Sequence, residues 1–146
     1  MQKSEKKTDW HRHQWGVSTF LYVGAHSSLA IAYGKANGAS SLHFHAEKHN
    51  AFLVQEGIIE IWGKGQIFLA RVGPQEAYVS PAGEVHRMVF LTDATLYEFY
   101  RTKDGQILRL DDIARIEDGW VPGAKKVLSR APATQDSAGN PCQAVW

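Results

Sequence analysis

Short segments rich in Val, Ile, Leu, Phe and Tyr follow one another closely along this chain, separated by Gly, Asn and Pro. Such segments are typical of β-strands. So many short strands with tight turns between them favour an all-β fold, either a sandwich or a small barrel. The pattern predicts strands near residues 17–23, 29–35, 41–46, 50–56, 58–62, 66–72, 76–80, 85–91, 94–101 and 106–110.

The length of 146 residues corresponds to one domain with a sizeable core. We expect a flexible N-terminus at 1–14, because it opens on polar and charged residues, and a β-barrel domain at 15–121. The composition then shifts to Ala, Pro, Ser, Gln and Gly, which predicts an extended or mobile tail at 122–146. A short helical turn is predicted at 111–116, where two aspartates would favour a helix N-terminus.

The charge balance and the apolar pattern predict neither nucleic acid nor a membrane as a partner. Sixteen basic residues against 15 acidic ones give a formal net charge of +1, with no basic stripe. No apolar run approaches the roughly 20 residues that span a bilayer. A single cysteine, Cys142, excludes an intrachain disulfide, and with no signal peptide we expect a cytoplasmic protein.

Two segments, 58–62 and 67–69, are apolar on both faces of their predicted strands. An antiparallel sheet in water normally keeps one polar face, so a second apolar face implies a cover. A homodimer that packs through a sheet is the expected cover, and a local helix or the C-terminal tail is the alternative.

Two short motifs, forty residues apart, predict a metal site. In the first, His43 and His45 alternate along a strand, so both side chains can lie on one face. In the second, a turn at Pro81 and Gly83 can bring His86 from another strand to the same point. Three imidazoles that converge in an apolar interior indicate a metal far more often than simple packing.

Neutral imidazole binds divalent transition metals, so we expect one such ion per chain, Zn, Fe, Mn or Ni. Asn50 lies where a fourth ligand is expected, although its amide is a weak, neutral donor. His49 and Glu47 are alternatives for that position, and the sequence leaves the choice open.

Strand parity predicts a mostly apolar pocket around the metal, suited to a small-molecule ligand or substrate. Proton transfer in such a pocket needs a titratable side chain within reach of the substrate. The candidate proton carriers are Glu47, His49 and Glu98. The candidate pocket residues are Tyr33, Lys35, Phe52, Met88 and Phe90.

The two motifs resemble those of the cupin family, which are written G-x5-H-x-H-x3,4-E-x6-G and G-x5-P-x-G-x2-H-x3-N. Asn50 stands where the first pattern has glutamate, and Phe90 stands where the second has its final asparagine. The resemblance implies a cupin-type β-barrel, also called a double-stranded β-helix or jelly roll, that binds a metal. The matching residues are Gly38, His43, His45 and Gly57 in the first motif, and Pro81, Gly83 and His86 in the second.

A second likeness is to small relatives of type II mannose-6-phosphate isomerases. It rests on the Trp15-Gly16 opening and on the Asp-Asp-Ile-Ala-Arg-Ile-Glu-Asp run at 111–118. The likeness implies a metal-dependent enzyme of the isomerase or epimerase type, acting on a sugar-like or hydroxy-carbonyl substrate. The amide at Asn50 favours an alternative, a non-haem iron dioxygenase with three histidines. A non-catalytic cupin that binds a small molecule is the third hypothesis.

Overall fold

The structure is a computed structural model, and it describes residues 9–124 of the chain. Most of the predicted C-terminal tail, with Cys142, and the first eight residues of the predicted flexible N-terminus lie outside the described residues. Within the described part, no helix is long and apolar enough to cross a membrane. The elements are β1 (His11–His13), β2 (Gly16–Val23), β3 (Ser27–Gly34), β4 (Leu42–Phe44), β5 (Lys48–Glu56), β6 (Ile59–Trp62), β7 (Phe68–Val72), β8 (Ala77–Ser80), β9 (Arg87–Phe90), β10 (Ala94–Thr102), a 3-10 turn at Lys103–Gly105, and β11 (Ala114–Glu117).

The strands form three antiparallel sheets. The largest has the order β1-β2-β3-β10-β5-β8, a second has β7-β6-β9, and β11 pairs with β4. Phe52, Ile59, Ile61, Phe90 and Leu96 from the two larger sheets form the buried core between them. The prediction of an all-β barrel is therefore confirmed.

Side-chain parity along β5 agrees with the sequence prediction. Asn50, Phe52 and Val54 are each no more than 2% exposed, whereas Leu53 between them is 46% exposed. One face of this strand therefore lies against the core and the cavity, and the other lies on the outer surface.

The parity of β3 is opposite to the prediction. Ala30, Ala32 and Gly34 face inward, and Tyr33 is 43% exposed on the outer face. At the end of the strand the ring of Phe90 leaves room for glycine only, because a Cβ atom placed on Gly34 would overlap that ring. Tyr33 lies on the outer face and does not line the pocket.

Two predictions for residues 106–118 are wrong. No strand forms at 106–110, and the predicted helical turn at 111–116 is replaced by the strand Ala114–Glu117. The carboxylate of Asp112 does not cap a helix. It accepts hydrogen bonds from the backbone N–H groups of Ala46 and Glu47, at 3.0 and 2.9 Å, and so ties this segment to the end of β4.

The expectation of a flexible N-terminus is also wrong for residues 11–13. These residues form β1 and pair with the beginning of β2. The imidazole of His13 stacks on the indole of Trp15, with 4.5 Å between ring centroids. The pairing with β2 and the stacking on Trp15 hold this segment against the domain. The folded domain therefore begins before residue 15, at residue 11 or earlier.

Among residues 9–124, the first of the two segments that the sequence indicated is covered within the chain, and Ile67 of the second is 36% exposed. All four residues of β6 are buried within the chain itself, so this strand needs no second subunit to cover it. The outer face of the six-stranded sheet instead carries two apolar rows that run across paired strands. The rows are Ile31, Tyr97, Leu53 and Ala77, and Leu29, Phe99, Ala51 and Val79.

Candidate metal centre

The two histidine motifs meet in the structure. The backbones of His43 and His86 exchange two hydrogen bonds of 3.0 and 2.8 Å, which sets the two rings 4.6 Å apart. At Gly83, φ is 87°, a conformation that favours glycine, and the turn delivers its N–H to the carbonyl of His45 at 2.7 Å. One ligand atom from each of the three histidines lies within 4.8 Å of the others. The predicted cluster of His43, His45 and His86 is therefore present.

Each histidine is oriented by a hydrogen bond at its Nδ1 atom. An imidazole that donates from Nδ1 to an oxygen carries its free lone pair on Nε2, the arrangement expected of a metal ligand. The Ser80 hydroxyl that accepts from His86 donates in turn to Glu84, at 3.0 Å. The three contacts are His43 Nδ1 to the Ser41 carbonyl at 2.8 Å, His45 Nδ1 to the Asp112 carbonyl at 2.6 Å, and His86 Nδ1 to the Ser80 hydroxyl at 2.8 Å.

Several buried polar atoms in this cluster have no hydrogen-bond partner among the described residues. They are Nε2 of His45, Nε2 of His86 and Oδ1 of Asn50. A buried acceptor without a partner costs roughly 1–3 kcal/mol, so three together at one point indicate a ligand that satisfies them. The donor set of neutral nitrogens and an amide oxygen suits a divalent transition metal.

The electrostatics of the cluster favour metal binding over protonation. Burial, aided by the neighbouring His45, lowers the pKa of His43 to about 4. Burial likewise lowers the pKa of His45 to about 4 and that of His86 well below its usual range. The three imidazoles are therefore neutral at physiological pH, which is the form that coordinates a metal.

Of the three candidates for the fourth ligand, only Asn50 lines the histidine cavity. The Glu47 side chain is 45% exposed, lies 4.0 Å from Lys103 and lines a separate surface hollow. His49 faces the opposite side of β5, and its Nδ1 accepts a hydrogen bond from the backbone N–H of Ala82 at 3.0 Å. The structure thus places Glu47 and His49 outside the site.

The cavity has a volume of about 870 Å³. Phe52 and Met88 form part of its apolar wall, as the sequence analysis expected. Phe90, in contrast, is completely buried in the core. Lys35 lies outside, where its side chain is 71% exposed and its Nζ is 3.9 Å from Asp93.

Glu98 lies in the cavity together with Tyr100, two positions further along the same face of β10. The Tyr100 hydroxyl donates a hydrogen bond to Oε2 of Glu98. Burial raises the pKa of the Glu98 carboxyl and that of the Tyr100 phenol. The Tyr100 ring packs edge-on against His45 at 5.4 Å, so the carboxylate and the histidine cluster share one chamber.

Sequence reasoning did not assign a site role to Tyr100 or Arg115. The parity of Glu98 along β10 indicated that Tyr100 lies on the same face. Arg115 was placed in the wrong helical turn, whereas it lies opposite His43 in the pairing of β11 with β4 and lines the cavity.

No family model and no curated protein matches this sequence. Solved structures do match. A protein from Klebsiella pneumoniae described as having a double-stranded beta-helix domain has a TM-score of 0.57 and 11% identity, covering 81% of this chain and 91% of its own. The chain adopts the cupin-type double-stranded β-helix fold.

Two further solved structures, of KdgF and of oxalate decarboxylase, share this cupin fold with the chain. KdgF from Halomonas sp. has a TM-score of 0.60 and 18% identity, and the match covers 74% of this chain and 93% of KdgF. Oxalate decarboxylase from Bacillus subtilis has a TM-score of 0.61 and 14% identity over 78% of this chain. The match spans only 31% of the decarboxylase chain. At these identities the likeness establishes the fold.

Proposed function

We propose that this cupin is a metal-dependent enzyme that moves protons on a small hydroxy-carbonyl compound, in a reaction of the isomerase or epimerase type. The observation that carries the proposal is the position of Glu98, whose carboxyl group lies in the same cavity as the three histidines. A metal site and a carboxyl group facing one chamber are the two parts that such proton transfer requires.

Each residue of the chamber has a distinct role in this proposal. His43, His45 and His86 would hold the metal through Nε2, and the bound ion would supply Lewis acidity toward a carbonyl or hydroxyl oxygen. The Tyr100 hydroxyl donates a hydrogen bond to Oε2 of Glu98 and so orients the carboxyl group. Oε1 would then exchange a proton with the substrate. Phe52 and Met88 give the chamber an apolar wall beside that exchange.

The test is metal-dependent proton exchange. Protein loaded in turn with Zn, Mn, Fe and Ni is incubated in D₂O with aldoses, ketoses and hydroxy ketones, and deuterium beside the carbonyl is followed by NMR. We expect exchange that stops with chelator, and a Glu98→Gln variant that keeps its metal but loses roughly 10²–10⁴-fold in rate. Glu56→Gln, on the exposed end of β5, is the matched control. Exchange that no metal restores, or that survives Glu98→Gln, contradicts the proposal.

A second candidate function is a non-haem iron dioxygenase. The observation that favours it is Asn50, since the cavity offers three histidines and an amide where a carboxylate ligand would otherwise lie. Oxygen uptake by the iron-loaded protein, with a thiol or a catechol as substrate, separates the two functions. Uptake that depends on Fe(II) and substrate would replace the isomerase proposal.

We also propose that the chain forms a homodimer through the outer face of the six-stranded sheet. A two-fold interface pairs a surface with itself, and the two apolar rows across β3, β10, β5 and β8 place no like charges opposite each other.

In sedimentation experiments we expect two chains per particle for the wild type, and one chain per particle for Leu53→Glu. Gln106→Glu adds the same charge on a distant loop and should leave the dimer intact. A single-chain wild-type particle at high concentration contradicts the proposal.

A further inference from the structure

We propose that the cavity binds ligands bearing a carboxylate, and that the guanidinium of Arg115 at its mouth receives this group. The inference deepens the proposed function and rests on it for the chemistry at the opposite end of the ligand. Arg115 places a positive charge at the cavity, and the roles assigned to the three histidines and Glu98 do not involve it.

Arg115 is positioned by the sheet, not by a loop. It lies directly opposite His43 where β11 pairs with β4, and both side chains line the cavity. Residues opposite each other in an antiparallel pair have Cβ atoms about 4.5–5.5 Å apart. The guanidinium therefore extends over the cavity from a point fixed beside the first metal ligand.

The charge of Arg115 is not neutralised by the described part of the chain. Arg87 lies 3.5 Å from Glu117 and Arg109 lies 3.2 Å from Asp111, but no described hydrogen bond or ion pair involves the Arg115 side chain. Its positive charge is therefore available to a ligand in the cavity that Arg115 lines.

The other charged side chains at this opening balance each other, since Arg12 on β1 and Asp118 both line it. Arg115 therefore leaves the opening with a net positive charge. The Glu98 carboxyl, which also lines the cavity, accepts a hydrogen bond from the Tyr100 hydroxyl. An anionic ligand is therefore attracted to the opening.

The geometry favours a carboxylate over a phosphate. A single planar guanidinium matches a carboxylate with two parallel hydrogen bonds, whereas a phosphate is usually held by several converging cations. Glu98 lines the same cavity, and its carboxyl can accept a hydrogen bond from a ligand hydroxyl. The site thus suits a hydroxy acid, with its carboxylate at the mouth and its hydroxyl groups inside.

The inference is tested with three probes that share one sugar ring. Full-length protein, with its metal content measured on the same sample, is titrated calorimetrically with D-glucose, D-glucuronate and D-glucose 6-phosphate. We expect glucuronate to bind roughly tenfold to hundredfold more tightly than glucose, the usual effect of a charge-assisted hydrogen-bonded pair. Arg115→Gln should reduce glucuronate affinity to that of glucose and leave glucose binding unchanged. Arg115→Lys keeps the charge but lacks the planar guanidinium. Its affinity for glucuronate should lie between those of the wild type and Arg115→Gln.

The matched control is Lys64→Gln, which removes the same charge at the exposed turn between β6 and β7. It should leave all three affinities unchanged. Equal affinities for glucose and glucuronate, no binding of any probe, tighter binding of the 6-phosphate, or a preference that survives Arg115→Gln would each overturn the inference. If the preference fails while the protein holds metal, only this inference fails. A metal-free protein that keeps an Arg115-dependent preference contradicts the proposed metal enzyme instead.

Discussion

Replacing His86 with alanine is expected to abolish metal binding. His86 is 1% exposed, its Nδ1 is held by the Ser80 hydroxyl, and its Nε2 has no other partner among the described residues. Loss of one of three imidazoles should weaken binding by more than the roughly 10–100-fold that follows removal of an outer hydrogen-bond partner. Elemental analysis of the purified protein should give about one ion per chain for the wild type and none for the variant.

Two further variants separate loss of the ligand from general damage. Ser80→Ala removes only the orienting hydroxyl, and we expect metal affinity to fall by roughly 10–100-fold with the ion still detectable. His49→Ala removes a histidine outside the cavity, and metal content should stay that of the wild type. An unchanged metal content in His86→Ala, in a protein that melts cooperatively, would contradict the assigned site. The element found also matters, since iron favours oxygen chemistry, and zinc or manganese favours isomerase chemistry.

The histidine cluster was predictable from the sequence because its determinants are local. Alternation along one strand places His43 and His45 together, and a turn that needs proline and glycine places His86 next to a second strand. The strands themselves follow from β-branched and aromatic residues between turn formers. Each of these signals lies within a few neighbouring positions.

The rest of the site depends on contacts between distant parts of the chain. Asp112 orients His45 through its carbonyl and bonds to the backbone of Glu47, 65 residues away. Arg115 reaches the cavity only because β11 pairs with β4, whereas its local sequence suggested a helix. The error at Tyr33 has a similar origin, because the inner face of β3 packs against distant residues, among them Phe90 from another sheet beside Gly34. Local patterns do not report such pairings.

The second large effect is the acid sensitivity of the metal-free protein. Burial holds the pKa of His43 and of His45 at about 4 in the folded chain, against 6.5 for an exposed histidine. As the pH falls below 6.5, the unfolded chain therefore takes up protons that the folded chain does not, and the free energy of unfolding decreases until the pH reaches about 4. Each of these two histidines contributes about 3 kcal/mol to the decrease, because one pKa unit corresponds to about 1.4 kcal/mol.

Urea unfolding of chelator-treated protein between pH 8 and pH 4 measures this loss. His43→Gln should reduce the loss by about 3 kcal/mol, since it removes one of the three buried histidines whose pKa values are lowered. Asn50→Ala changes the same cavity without a titratable group and should keep the wild-type pH dependence. A free energy of unfolding that stays constant between pH 6.5 and pH 4 would contradict the burial of neutral histidines.

Bound metal should stabilise the protein throughout this range, because the folded site remains deprotonated until the pH approaches 4. The stabilisation by metal should then persist at pH 5 and disappear only near the folded pKa, so acid stability and metal affinity are two consequences of the same buried imidazoles.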